Sequence, residues 1–369
     1  MLPLIGDFPQ PFGIVRRFAK GSAARARSSP RPIEPVTMLS WQELIEEALV
    51  PTVLITGGHG GIGLEACKNL ASRYGANLVL AGRSMERMEP AVRDLQTAYE
   101  VGVNALEMDT SSLPSVRSAT AKCRAMLDSG EIDSLQAIIC NAGVRGPLSY
   151  SVDGFEQTFA TNCLGHFLLV ELLIDRVADH GRVVFTVSGT HDPDTMDGRM
   201  VGKAAEPDAV ALAHNGKNGG EPLPDGVRYS TSKLCMVLYA YELDRGLRRS
   251  GSSIASIAFD PGSTSGTGFL RDMPGPVRWL NDTPFMNWVL KRVGVTMGSV
   301  GFSGAALARI AADPEFANGS GKYFQSNDGR LIQARSSKVS YDERRALKLW
   351  NDSKRLVLLR PDEESAQLA

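Results

Sequence analysis

Val53-Leu54-Ile55-Thr56-Gly57-Gly58-His59-Gly60-Gly61-Ile62-Gly63 is the stretch that decides the fold. A short apolar run reads as a strand over Val53–Thr56, a glycine cluster follows at once, and Leu64–Tyr74 shows a helical pattern. Strand, glycine turn and helix in that order suit a pyrophosphate. Glycines let the backbone turn tightly and approach the anion, and the helix N–H groups and dipole face it. The run fits two frames, Gly58/Gly60/Gly63 as GxGxxG or Gly57/Gly61/Gly63 as TGxxxGxG. A turn built only for tight packing would carry the same glycines, so the loop needs company.

Downstream, short apolar runs keep alternating with helical patterns, the mark of a parallel sheet with crossover helices. Strands are expected at Asn77–Ala81, Ala105–Met108, Ala137–Cys140, Arg182–Val187, Ser253–Phe259 and Lys322–Phe324. Helices are expected at Glu86–Tyr99, 113–128, 155–178, Tyr229–Arg248 and Ser299–Asp313. The fold class is α/β, a Rossmann-type doubly wound parallel sheet in a single domain. The second strand ends in Ala81-Gly82-Arg83, with no carboxylate to hold a ribose 2′-hydroxyl. The Arg83 guanidinium suits a 2′-phosphate instead, which favours NADPH over NADH; a solvated surface charge is the alternative.

With 40 basic and 41 acidic side chains the net charge is −1, which gives no case for nucleic acid. No uninterrupted apolar run is long enough for a transmembrane segment. The five cysteines, 67, 123, 140, 163 and 235, show no CxxC or Cys/His spacing. Neither a disulfide framework nor a metal site is indicated, and a reducing, cytoplasmic compartment is the simpler reading. Residues 1–33 carry six basic side chains against Asp7 alone. This basic N-terminal extension reads either as a disordered tail or as an organelle transit peptide. Ser40-Trp41-Gln42-Glu43 resembles a capping box opening a short helix through Leu49.

Three further signals stand in order. Asn141-Ala142-Gly143 follows the fourth strand, Tyr229-Ser230-Thr231-Ser232-Lys233 is a YxxxK, and Asp260-Pro261-Gly262 follows the sixth strand. Together with TGxxxGxG they resemble the short-chain dehydrogenase/reductase superfamily across residues 52–324. The resemblance implies a catalytic set: Tyr229 as proton donor, and Lys233, one turn on, lowering the phenol pKa and binding the nicotinamide ribose. Ser188 would orient the substrate oxygen, and Asn162 would hold a helix bulge and a relay water. It also implies an NADP(H) site made by Thr56, Gly57, Gly61, Ile62, Gly63, Arg83, Asp109 (at the adenine), Asn141, Ala142, Gly143, Lys233, Pro261, Gly262 and Thr267.

The domain organisation follows: an extension over 1–51, the Rossmann reductase domain over 52–324, and a C-terminal helix and polar tail over 325–369. An insert, 189–228, lies before the catalytic tyrosine and reads as a specificity lid or as a disordered surface loop. Its His191 and His214 receive no role. The insert, Lys233-Leu234-Cys235 and Trp350-Asn351-Asp352-Ser353-Lys354-Arg355-Leu356 resemble the branch of light-dependent protochlorophyllide reductases and retinol dehydrogenase-like carbonyl reductases. Ser230-Thr231 departs from the Lys-Asp of the protochlorophyllide enzymes. The apolar, proline-hinged segment 266–297 reads as a substrate lid, a contact for a second copy in a homo-oligomer, or a peripheral membrane contact.

The expected function is an NADPH-dependent reductase moving hydride to a carbonyl, or to an activated C=C, of an apolar small molecule. Light-driven protochlorophyllide reduction and a non-catalytic dinucleotide-sensing or scaffold protein are the alternatives.

Overall fold

The structure is a computed structural model that describes residues 50–217, 219–264, 292 and 294–368. The basic extension, the helix expected from Ser40, most of segment 266–297 and Thr267 lie outside the described residues.

Strand β1 (Thr52–Thr56) is buried along its whole length. That is why its sequence is a continuous run and not an alternation: in a parallel sheet both faces are covered. It pairs in parallel with β2 (Asn77–Gly82) from Thr52 opposite Asn77 to Thr56 opposite Ala81. On its other side lies β4 (Leu135–Cys140). Strand β3 (Val103–Glu107) extends one flank. On the other flank come β5 (Val177–Thr186), β6 (Ala255–Asp260), β9 (Tyr323–Asn327) and the antiparallel β10 (Arg330–Ala334). The order β10-β9-β6-β5-β4-β1-β2-β3 reverses between β1 and β4. The carboxyl ends of those two strands therefore open the crevice where such sheets bind ligands. A two-residue pair, β7 (Ser263–Thr264) and β8 (Met297–Gly298), stands apart.

Helices cover both faces. On one, α1 (Gly61–Tyr74), α2 (Met85–Tyr99) and α8 (Val300–Ala312) bury Leu70, Met88 and Leu307 against the sheet. On the other, α3 (Leu113–Asp128), α4 (Gly165–Leu173), α7 (Asp225–Arg249) and α9 (Glu343–Leu356) share a second core. Trp350 of α9 sets its ring 4.8 Å from that of Phe167, so the C-terminal helix is part of the domain core.

Several expectations need correction. The helix expected over 155–178 is a turn Gln157–Phe159, a π-turn Ala160–Leu164, then α4 and a 3₁₀ turn Ile174–Arg176. Strand β5 begins at Val177, and its pairing with β4 jumps from Val177 to Arg182, leaving a bulge that includes left-handed His180. The insert is folded: α5 (Met196–Val201) and α6 (Ala209–Ala213) lie within it, and Ala209 and Leu212 reach the core. The sheet does not end at Phe324, because Asp328 and Gly329 take left-handed angles and return the chain as β10. The polar tail beyond Leu359 is tied down by Glu363 on Arg117 and by the Gln367 carbonyl, which accepts from Ser250 Oγ. Among the described residues Gln157–Arg176 is long and apolar enough to cross a membrane, but it is 89% buried in the fold.

Candidate active site

The glycine loop closes onto the end of β4. A Cβ at Gly63 would lie 2.4 Å from the Gly57 carbonyl oxygen and 2.8 Å from Asn141 Nδ2, so only glycine brings α1 this near the turn. Thr56 sits behind the loop. Its hydroxyl oxygen accepts from the N–H groups of Asn141 (2.9 Å) and Ala142 (2.8 Å). Asn141 Nδ2 in turn donates to the Thr56 carbonyl at 3.0 Å. The Thr56 hydroxyl hydrogen is left for His166 Nε2 at 2.9 Å, while His166 Nδ1 lies 2.9 Å from the Asn162 carbonyl. Burial pushes the His166 pKa down to about 4, so the ring is a neutral strut.

Asn162 sits in the π-turn, where the Gly165 N–H reaches back five residues to the Ala160 carbonyl. Its side chain is fully engaged. Oδ1 accepts from Val144 N–H at 2.8 Å, and Nδ2 donates to the Val144 carbonyl and to Ser232 Oγ. The Asn141–Val144 segment is thereby fixed to the helix that carries Tyr229 and Lys233.

Ser188 follows β5 and caps the short turn Gly189–His191, accepting from Thr190 N–H. Tyr229 and Lys233 project from one face of α7, four residues apart. Lys233 is 4% exposed and donates to the Thr186 carbonyl at 2.8 Å. Burial lowers its pKa to about 8. Burial also pushes the Tyr229 phenol up to about 12, with a smaller opposing pull from the Ser188 hydroxyl. The net direction is upward, so burial outweighs the lowering expected from Lys233. Its ammonium is held on Thr186, 5.7 Å from the centre of the tyrosine ring, and does not offset burial.

These groups face one cleft of about 1230 Å³. Gly57, Gly61, Ile62 and Gly63 form its floor, with Asn141, Ala142 and Gly143 beside them. Ser188, Tyr229 and Lys233 stand on the far wall with Pro261 and Gly262. Arg83 lines the other end, joined by His59, Glu86 and Arg87, and the two arginines add to burial in lowering the His59 pKa. Thr56 and Asn162 act from behind the wall. Asp109 is turned away: its Oδ1 accepts from Ser111 N–H and Oγ, and the wall there is made by Met108 and Thr110.

The cleft fits a dinucleotide. No Cβ can enter at Gly63, the N-terminus of the fourteen-residue α1 has no side-chain cap, and buried Thr186 Oγ1 and His59 Nδ1 have no partner in the protein. Sequence reasoning missed His59, His166, Thr186 and a carboxylate pair. Asp260 Oδ1 accepts from Gly262 N–H, and its Oδ2 accepts from Tyr323 and Gln325. Asp197, from the insert, accepts from Thr296 Oγ1 at 2.8 Å. Arg145 was missed as well; it lines the cleft and pairs with Asp225 at 3.0 Å. The adjacency of Arg145 to Asn141-Ala142-Gly143 was the one signal available beforehand.

A family model for short chain dehydrogenases matches residues 51–195. Retinol dehydrogenase 13 of Homo sapiens is 32% identical, covering 84% of this chain and 86% of its own length. The chloroplastic protochlorophyllide reductase of Chlamydomonas reinhardtii is also 32% identical, over 83% of this chain and 77% of its own. A short chain dehydrogenase from Burkholderia cenocepacia J2315, solved in complex with NADP, shares the fold. It has a TM-score of 0.54 at 20% identity, covering 75% of this chain and 96% of its own.

Proposed function

Because the chain belongs to the short-chain dehydrogenase family, whose members bind NADP(H), we propose that it is an NADPH-dependent reductase of a carbonyl, or an activated C=C, on an apolar small molecule. The observation that carries this reading is the meeting of Ser188, Tyr229 and Lys233 on the wall of a cleft whose floor is the glycine loop.

Bound NADPH would supply the hydride. Gly57, Gly61 and Gly63 and the open end of α1 hold its pyrophosphate, and Arg83 reads the 2′-phosphate. On the substrate side, Ser188 Oγ orients the reacting oxygen. A phenol held at about 12 keeps its proton at neutral pH, so Tyr229 can give it to an oxygen that is becoming an alkoxide, a stronger base. The nearby ammonium of Lys233 then stabilises the phenolate that remains. Thr56, Asn162 and His166 keep the two walls in register.

Light-driven protochlorophyllide reduction has less support. Cys235, part of the Lys233-Leu234-Cys235 resemblance to that branch, is fully buried and is not on the cleft wall. Two relatives named chloroplastic favour organelle targeting over the cytoplasmic reading for residues 1–33.

The test is NADPH oxidation across aldehydes, ketones and quinones, with protochlorophyllide in the dark and under light as a separate arm. Tyr229→Phe should lower turnover by about a hundredfold or more while NADPH affinity is kept. Unchanged turnover in that variant would remove the tyrosine from the chemistry, and strictly light-dependent turnover would favour the second reading.

A further inference from the structure

His191 and His214, both in the insert, have different fates. His214 is half-exposed, with Nδ1 on the carbonyl of its own helix at Val210. His191 is 1% exposed. Its Nδ1 lies 2.6 Å from the Ser188 carbonyl oxygen and its Nε2 lies 3.0 Å from the backbone nitrogen of Ser337. These partners fix the ring chemically. A carbonyl only accepts, so Nδ1 carries the proton; a backbone N–H only donates, so Nε2 carries none. The imidazole is therefore neutral and held in one tautomer.

Its surroundings agree. The groups facing it are Asp192 on its own turn, Asp260 at the end of β6, and the ring of Tyr323 on β9, 5.3 Å away. Asp260 and Asp192 favour a proton, but burial outweighs them and lowers the His191 pKa. Gly189 leaves no slack in this corner, since a Cβ there would lie 3.0 Å from Asp197 Oδ2 and 3.1 Å from Asp260 Oδ2. Ser337 opens the turn Lys338–Tyr341 that leads into α9.

We propose that His191 is a positioning residue for the reduction proposed above: its Nδ1–H, on a ring whose tautomer the Ser337 N–H fixes, holds the Ser188 carbonyl and so aims the Ser188 hydroxyl at the reacting oxygen. The proposal rests on the reductase reading. Ser188 Oγ caps the same turn whose start the imidazole holds, so a turn freed from His191 rotates the hydroxyl away. Loss of the imidazole leaves the buried Ser337 N–H without its partner and strips the Ser188 carbonyl of the shorter of its two hydrogen bonds, the other being the backbone N–H of His191 at 3.1 Å, and this drives that rearrangement.

The experiment compares the full chain with His191→Ala and His191→Asn. An asparagine amide can place an N–H where Nδ1–H stands, restoring the bond to Ser188 but not the one to Ser337. The probe is 9,10-phenanthrenequinone, followed by NADPH absorbance, with NADPH affinity measured by fluorescence. His191→Ala should lower kcat by about tenfold or more at an NADPH Kd within about twofold of wild type, and His191→Asn should recover most of the kcat. Equal loss in the two variants, unchanged kcat in His191→Ala, or loss confined to NADPH affinity would each overturn the positioning role. A wild-type chain that oxidises NADPH with no carbonyl refutes the reductase reading instead. The ¹⁵N spectrum of the His191 ring separates the two failures, because it needs no turnover: a neutral Nδ1–H ring at pH 7 supports the geometry, and an Nε2–H ring or an imidazolium overturns it.

Discussion

Glu156→Gln tests the buried ion pair that Arg228 makes next to Tyr229. Arg228, the residue before Tyr229, has a side chain 4% exposed and donates through Nε to Glu156 Oε1 at 3.0 Å; the glutamate side chain is 2% exposed. Its two other nitrogens donate to the Leu223 carbonyl at the end of the insert and to the Gly146 carbonyl beyond Asn141-Ala142-Gly143. Glu156 also caps the turn leading to the π-turn, accepting from Phe159 N–H at 2.8 Å. One guanidinium thus ties four segments of the site together. Removing the negative charge leaves a buried cation with only neutral acceptors, a change that costs about 3–5 kcal/mol when one partner of a buried pair is lost. Two unit charges about 4 Å apart attract by about 4 kcal/mol at an intermediate dielectric, which agrees. For a domain of this size about 2 °C of Tm follows each kcal/mol, so the midpoint should fall by about 6–10 °C. The assay is thermal unfolding by circular dichroism without NADPH, because a ligand that binds only the folded state would mask the loss. Glu156→Leu combined with Arg228→Met should regain part of it. A fall under about 2 °C in Glu156→Gln would show that water reaches the pair and refute the burial reasoning.

Arg83→Ala should weaken NADPH by about tenfold to a hundredfold, the worth of a charged hydrogen bond, and NADH hardly at all; titration with both nucleotides checks this, and equal losses would remove Arg83 from 2′-phosphate reading. Gly63→Ala forces a methyl to within 2.4 Å of the Gly57 carbonyl oxygen, and should abolish measurable NADPH binding by fluorescence titration and lower the Tm by several degrees. With its folded pKa lowered to about 8, Lys233 is charged in both states at pH 7, and burial opposes folding there. That penalty is relieved as pH rises from about 8 toward the ordinary lysine value near 10.4. Lys233→Met should therefore raise the Tm at pH 7, with the gain shrinking by pH 10; a gain that does not change with pH would contradict the shift. Turnover of the wild type should decline above about pH 8 as the same ammonium is lost.

What the sequence made legible was what local chemistry requires. The glycine loop announces itself because no other residue tolerates its turns, and β1 because a strand buried on both faces is an unbroken apolar run. Tyr229 and Lys233 stood out through the resemblance that their YxxxK completes together with the glycine loop, Asn141-Ala142-Gly143 and Asp260-Pro261-Gly262. The rest depends on partners distant in the chain. Nothing local says that His191 will meet Ser337, 146 residues on, or that His166 will meet Thr56, 110 residues back. Helices α5 and α6 are too short to show a period, and the π-turn hides inside a helical pattern. Asp109 followed the family pattern but spends its carboxylate on its own turn. The hairpin to β10 did carry a signal, Asp328-Gly329, which the strand reading stopped just short of using.

That hairpin also bears on how the chain tolerates shortening. Without β10, the ladder face of β9 would offer a row of unpaired amides and carbonyls to any other extended chain, the usual start of clumping between molecules. The added strand is only five residues long, begins with Arg330 and exposes much of its side-chain surface, so it ends the sheet with a poor template. A truncation after Asn327 would expose β9 as well as removing α9 and its Trp350 from the core. Such a shortened chain would be prone to deposit during synthesis, however complete its cofactor loop.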